Sequence, residues 1–108
     1  MQVMASGQHL SIGESIQEYV KNKTQNVVTK YFANAIDAHI HFSKQGNDIS
    51  CDIVTHDGMG RRSVIKSNAI AHEMRNAFDN SLSKLEHQMQ KLKSKIKDHH
   101  KHAASKLN

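Results

Sequence analysis

Apolar side chains recur along this sequence with two different periods, and the places where one period gives way to the other mark out its elements. Residues 2–6 read as a short opening strand, and Gly7 to Leu10 leads into a helix that begins near Gly13 or Glu14. Ile16, Tyr19, Val20, Val27 and Tyr31 then fall at helical spacing, which predicts a first helix through about Lys30. Ile36, Ala38, Ile40 and Phe42 alternate with Asp37, His39, His41 and Ser43, the period-two signature of a strand with one buried face. Gly46-Asn47-Asp48 is a natural turn, after which Ile49, Cys51 and Ile53 alternate with Ser50, Asp52 and Val54 as a third strand. Asp57-Gly58-Met59-Gly60 signals the next turn, and Arg61 to Ser67 can return as a fourth strand. Such short connections make strands two to four an antiparallel meander.

From about Ala69 the period becomes helical again. Ile70, Met74, Phe78, Leu82, Leu85, Met89, Leu92 and Ile96 recur every three or four residues, with no glycine or proline to about Asp98. A helix of about 30 residues would be about 45 Å long. Strands of ordinary length span only about 17–20 Å, so the distal half must project, pack elsewhere or meet a partner. Residues 99–108 lack apolar periodicity and are rich in His and Lys, the pattern of a flexible basic tail following a single domain over 1–98. The predicted order is β-α-β-β-β-α, an α+β two-layer sandwich with two helices on one face of a four-stranded sheet.

Charge changes the picture once it is located along the chain. Of 108 residues, those at 1–83 carry eight basic and eight acidic side chains, whereas 84–108 carry seven lysines against Glu86 and Asp98. The C-terminal segment therefore holds the whole net charge of +5. A neutral body with a cationic arm points to a polyanionic partner, most often nucleic acid or an anionic membrane face. No apolar run approaches the ~20 residues needed to span a bilayer, and the N-terminus lacks a basic segment followed by an apolar stretch. A soluble, unexported protein is expected. The single cysteine excludes an internal disulfide and any multi-cysteine metal site.

On the second helix, Lys84, Gln88, Lys91 and Lys95 form one ridge beside the apolar stripe, while Arg75, Lys93 and Lys97 line the opposite flank. Lysines on both borders of an apolar seam can straddle a phosphate backbone while the seam packs on a sheet; the same pattern also suits an ordinary solvated helix face. Lys23 stands in the apolar stripe of the first helix between Val20 and Val27, where a core residue is expected, and with Lys21 and Lys30 it could extend the basic surface. Its stem could equally snorkel past the sheet edge. His39 and His41 share one strand face with Asp37 alongside, yet nothing supplies a closed ligand set, and no metal site is expected. Cys51 alternates with Ile49 and Ile53 on the face that should be buried, so an inert core thiol is expected rather than a nucleophile served by His56. The Asp57–Gly60 turn lacks the spacing and following helix of a phosphate-cradling loop, and no carboxylate pair suggests acid–base work. The expectation is a binding protein without a cofactor or catalytic group.

Glu73-Met74-Arg75-Asn76-Ala77-Phe78-Asp79, then Lys84-Leu85, Gln88-Met89 and Lys91, Lys93, Lys95 and Lys97, resemble the pattern of the hibernation-promoting and ribosome-associated-inhibitor (sigma modulation protein) family. Met1-Gln2-Val3, Gly7, Glu18-Tyr19-Val20 with Lys23, and Tyr31-Phe32 are similar to it as well. The resemblance covers roughly residues 1–98. Arg75 departs from the family's tyrosine, His87 stands where an arginine is common, Asn26 occupies a usual lysine position, and one residue is inserted before Tyr31. What the resemblance implies is a cytoplasmic bacterial factor of the stationary-phase stress response. Such a factor binds the decoding channel of the small ribosomal subunit, excludes messenger and transfer RNA, and so inhibits translation by occupancy. The implied rRNA-binding residues are Lys23, Lys30, Arg75, Lys84, His87, Gln88, Lys91, Lys93, Lys95 and Lys97. The implied partner is the small subunit and its rRNA, with no membrane or small-molecule substrate, and the chain is expected to be a monomer off the ribosome. Long members carry a second domain, so this chain would be a short form or a fragment of a long one. A general double-stranded-RNA-binding module is the alternative reading. A third makes the Leu82, Leu85, Met89, Leu92, Ile96 seam a coiled-coil surface.

Overall fold

The computed structural model describes residues 1–60 and 63–107, with side chains as far as Lys95. The elements are β1 (Gln2–Gln8), α1 (Glu14–Tyr31), β2 (Asp37–Gln45), β3 (Asp48–His56), β4 (Val64–Ala71) and α2 (Met74–Leu107). The strands form one sheet in the order β1-β2-β3-β4. β1 runs parallel to β2, with α1 as the crossover, and β2, β3 and β4 form the expected antiparallel meander. Both helices lie on one face: α1 packs on β1 and α2, while α2 lies across β3 and β4. This is the α+β two-layer arrangement read from the sequence.

Alternation decides the faces. Ala38, Ile40 and Phe42 of β2 and Cys51, Ile53 and Thr55 of β3 turn toward the helices and are buried, while His39, His41, Asp52 and Val54 face the uncovered side. The β2–β3 hairpin closes over Gly46 and Asn47 with Gln45 opposite Asp48, and Gly46 takes φ 64°. A positive φ at only the first central residue is the type II′ geometry, whose twist matches that of the strands. In the β3–β4 turn the buried Asp57 carboxylate accepts hydrogen bonds from the Met59 backbone N–H at 2.9 Å and from Ser63 Oγ at 2.8 Å. Gly58 has φ 77°, and a Cβ there would meet the Asn34 carbonyl oxygen at 2.3 Å, so this turn sits tightly on the loop after α1.

The core is built from Phe42, Ile40 and Ile53 of the sheet, Val20 and Val28 of α1, and Ala77, Phe78, Leu85 and Met89 of α2. Tyr19 and Phe78 meet edge to face across the helix pair, centroids 5.8 Å apart. Five boundary and core expectations are corrected. The fourth strand occupies Val64–Ala71 and not 61–67, with Arg61 and Arg62 outside the described residues. Ladder pairs Ser50–Ile70 and Ile49–Ala71 extend it, so Ile70 belongs to the strand's uncovered face and is 53% exposed rather than opening the helix. Ile36 is 61% exposed because it precedes the first ladder pair of β2, beyond the cover of the helices. On α1 the fully buried line is Val20, Thr24 and Val28, an i, i+4, i+8 series, and Lys23 beside it is exposed. At the other end α2 continues past Asp98 to Leu107, through a stretch without glycine or proline that includes Ala103 and Ala104. The expected flexible tail falls on residues whose side chains lie outside the described set.

With 34 residues α2 is about 51 Å long, and the molecule measures 58 Å along its longest axis. Among the described side chains the last fully buried position on the helix is Met89, with Leu92 half-buried. Past that turn α2 leaves the sheet.

Candidate nucleic-acid interface

Because the buried stripe of α2 points down onto β3 and β4, its two flanks emerge on different sides of the fold. One flank, carrying Lys84, Gln88, Lys91 and Lys95, faces the outer edge of β4, whose backbone has no strand beyond it. Lys84 Nζ donates to the Asn68 carbonyl oxygen at 3.1 Å, and Gln88 Nε2 donates to the Lys66 carbonyl oxygen at 2.6 Å. These two side chains satisfy acceptors on the open edge and obstruct further strand pairing there. Lys91 and Lys95, one and two turns farther along, line an open groove with Val64, Ile65, Gln88 and Leu92. The Lys66 side chain is exposed and, alternating with buried Ile65, turns to the uncovered face of the sheet, away from this flank. Among the described residues, no carboxylate lies within ion-pairing distance of Lys66, Lys84, Lys91 or Lys95. The span from Lys84 to Lys95 is about 16 Å along the helix.

The second flank faces α1 and is differently occupied. Arg75 stacks its guanidinium 4.3 Å from the centre of the Tyr19 ring, Lys23 Nζ lies 5.4 Å from the same centre, and Tyr19 donates its hydroxyl to Asp79 Oδ1 at 2.7 Å. The ring's π electrons attract both cations, each contact worth on the order of 0.5–1 kcal/mol at an exposed site. Two turns along, Lys30 Nζ sits 3.9 Å from Glu86 Oε2 and 5.3 Å from the centre of the Tyr31 ring. Tyr31 donates its hydroxyl to the same Glu86 oxygen at 2.9 Å and accepts from Gln90 Nε2 at 2.9 Å. Lys93 Nζ donates to the backbone carbonyl of Tyr31 and lies 5.5 Å from the Phe32 ring centre. It thereby caps the C-terminus of α1, where the last carbonyls have no partner within the helix and a cation is favoured.

The ten expected contact residues thus separate. Lys84, Gln88, Lys91 and Lys95 form one continuous strip along the edge of β4. Lys23 and Arg75 come together over Tyr19, a convergence legible only once α1 and α2 are seen side by side. Lys30 and Lys93 are tied to Glu86 and Tyr31. His87 is exposed on the outer surface of α2 between the flanks, and the side chain of Lys97 lies outside the described residues.

Other candidate chemistry is placed elsewhere. Asp37 Oδ1 accepts from His56 Nδ1 at 2.6 Å, and His41 Nδ1 lies 2.9 Å from Ser6 Oγ, so these groups are engaged pairwise on the uncovered face of the sheet. Among the described residues no group of three or more His, Cys, Asp or Glu could hold a metal ion. Cys51 is fully buried, and burial together with the Asp52 charge pushes its thiol up to about 12. It is the inert core thiol expected from its place in the alternation. No described helix is long and apolar enough to cross a membrane.

Comparison with known proteins adds to this geometry. Residues 3–97 match the family described as sigma 54 modulation protein / S30EA ribosomal protein. A ribosome hibernation promotion factor of Rhizobium meliloti is 33% identical over 100 residues, covering 93% of this chain and 52% of the relative. One of the same name from Bradyrhizobium diazoefficiens is 29% identical over 98 residues, covering 91% of this chain and 47% of its own length. The chain spans about half the length of these curated relatives. Among solved structures, the N-terminal domain of Protein Y from Thermus thermophilus superposes with a TM-score of 0.72 at 20% identity, covering 85% of this chain and 99% of that one. A ribosomal subunit interface protein from Coxiella burnetii gives 0.72 at 21% identity, covering 87% and 99%. These two likenesses concern the fold.

Proposed function

The chain belongs to the sigma 54 modulation protein / S30EA ribosomal protein family, and from that premise we propose that it is a ribosome hibernation factor. It binds rRNA in the decoding channel of the small subunit, and inhibits translation by excluding messenger and transfer RNA. The observation that carries this reading is the strip Lys84, Lys91 and Lys95, without an acidic partner among the described residues and continuing where α2 leaves the sheet. A rigid cationic helix longer than its own domain can follow RNA walls and make several phosphate contacts without reading sequence, since RNA duplexes are recognised largely by shape and backbone. Curated relatives named ribosome hibernation promotion factor support the same reading.

Inhibition in this scheme is occupancy and uses no catalytic group, metal or cofactor. The protein acts in the cytoplasm as a monomer until it meets the subunit. Lys84, Lys91 and Lys95 supply the principal contacts, the Lys23–Tyr19–Arg75 stack a second one, and Lys30, His87, Lys93 and Lys97 smaller ones. The test is co-sedimentation with vacant small subunits and with subunits preloaded with messenger and transfer RNA, at two salt concentrations. Tight, salt-sensitive binding that preloading abolishes is expected. Binding indifferent to preloading moves the site off the channel, and equal affinity for any RNA duplex makes the chain a general double-stranded-RNA module instead.

A further inference from the structure

Where α2 leaves the sheet, it and the first residues of β4 enclose an open groove of about 310 Å³ lined by Val64, Ile65, Gln88, Lys91, Leu92 and Lys95. We propose that this groove receives a single unpaired RNA base, its face against the aliphatic floor and its flanking phosphates on Lys91 and Lys95; the inference rests on the rRNA-binding reading above. Phosphate contacts alone would need only the lysines. The floor is made of Val64, Ile65 and Leu92, of which Ile65 is buried, Leu92 half-buried and Val64 37% exposed. An apolar floor of that kind gains nothing from a phosphate or a ribose hydroxyl, whereas the face of a base removes it from water.

The base must be unpaired, because a base within a duplex presents only its edges to a protein and keeps its faces in the stack. Gln88 adds a polar wall. Its amide nitrogen is held by the Lys66 carbonyl at 2.6 Å, which orients the carboxamide and leaves its oxygen to accept from an exocyclic amine. The volume, at the lower end of the range for small-ligand sites, gives room for a base. Charge selects between RNA and an apolar segment of a protein. With Lys91 and Lys95 on the rim and no acidic partner for either among the described residues, the groove favours an occupant that brings anions on both sides of a flat apolar body.

The experiment uses the full chain and three RNA hairpins of equal length: fully paired, with a single-nucleotide bulge, and with an abasic bulge that keeps the phosphates but lacks the base. Binding is followed by fluorescence anisotropy, and backbone amide shifts locate the site. The bulged hairpin should bind about tenfold more tightly than either control, with shifts at Val64, Ile65 and Leu92. Val64→Ser and Leu92→Ala, both at partly exposed positions, should each bring that ratio toward one while circular dichroism and melting show an intact fold. Equal affinity for the bulged and abasic hairpins, or a preference that survives both substitutions, overturns the base-binding groove. Loss of the proposed function reads differently, as failure to bind vacant small subunits; a chain that binds subunits but ignores the bulge keeps the function and loses the groove.

Discussion

Thr24 shows how a buried position can be set by geometry against chemistry. It completes the Val20, Thr24, Val28 line with no exposed surface, and its hydroxyl has no hydrogen-bond partner among the described residues. An unpartnered buried hydroxyl costs about 1–3 kcal/mol, so Thr24→Val, which keeps the shape, should stabilise the fold by on the order of 1 kcal/mol. Urea unfolding of the two proteins measures it directly, and an equal or lower midpoint for Val would mean that the hydroxyl has a partner in solution. Cys51 illustrates the opposite case, a polar group whose burial is tolerated because it stays neutral. Its thiol moves from 9.0 to about 12 in the fold, so the folded state holds the proton more tightly than the unfolded one. The associated stability is complete below pH 9 and lost as pH rises from 9 toward 12, the sign required when folding raises the value. Chemical unfolding at pH about 8 and about 10 should therefore show a larger alkaline loss for the native sequence than for Cys51→Ala. Alkylation of Cys51 should proceed only at the rate of unfolding.

Lysines of like appearance along α2 perform different work, because the two flanks of the helix meet different neighbours. Lys93 donates to the Tyr31 carbonyl at the end of α1, whereas Lys91 and Lys95 line the groove beside β4. Lys93→Ala should therefore lower the melting temperature, corresponding to about 0.5–1.5 kcal/mol, and Lys91→Ala with Lys95→Ala should leave it nearly unchanged while weakening subunit binding. Thermal melts paired with co-sedimentation test this division; similar melting for both proteins would remove the cap from Lys93. The sequence made the lysine ridges visible but not this distinction, since periodicity tells which residues share a flank and not what the flank faces. The same physics explains which boundaries were legible. Alternation in β2 and β3 announces their faces because one side of each is covered. Ile70 misleads because it stands by chance one helical turn before Met74, although ladder pairing holds it in β4. Lys23 was drawn into the apolar stripe of α1 by its flanking valines, when the tight i, i+4 line runs through Thr24. Tyr19 and Tyr31 gather cations from both helices, a tertiary convergence that no local pattern contains.

The fold separates a charge-neutral body from a helix that holds the net charge of +5, and this separation makes the mode of binding measurable. If association with the small subunit is driven by lysines displacing counterions from phosphates, the logarithm of affinity falls linearly with the logarithm of salt, at roughly 0.7–0.9 per phosphate neutralised. Three lysines of the strip, Lys84, Lys91 and Lys95, then predict a slope of about −2 to −3. The cations over Tyr19 and beside Glu86 contribute less, because each already rests on a ring or a carboxylate in the free protein. Lys91→Gln with Lys95→Gln should flatten the slope by about 1.4–1.8, whereas Lys30→Gln should change it by less than about 0.5. Sedimentation binding at four or more salt concentrations decides the matter. A double variant that loses affinity with its slope intact would show that Lys91 and Lys95 act through hydrogen bonds or shape rather than charge. A steep slope carried chiefly by Lys30 would shift the RNA-facing surface from the β4 edge to the seam between the helices.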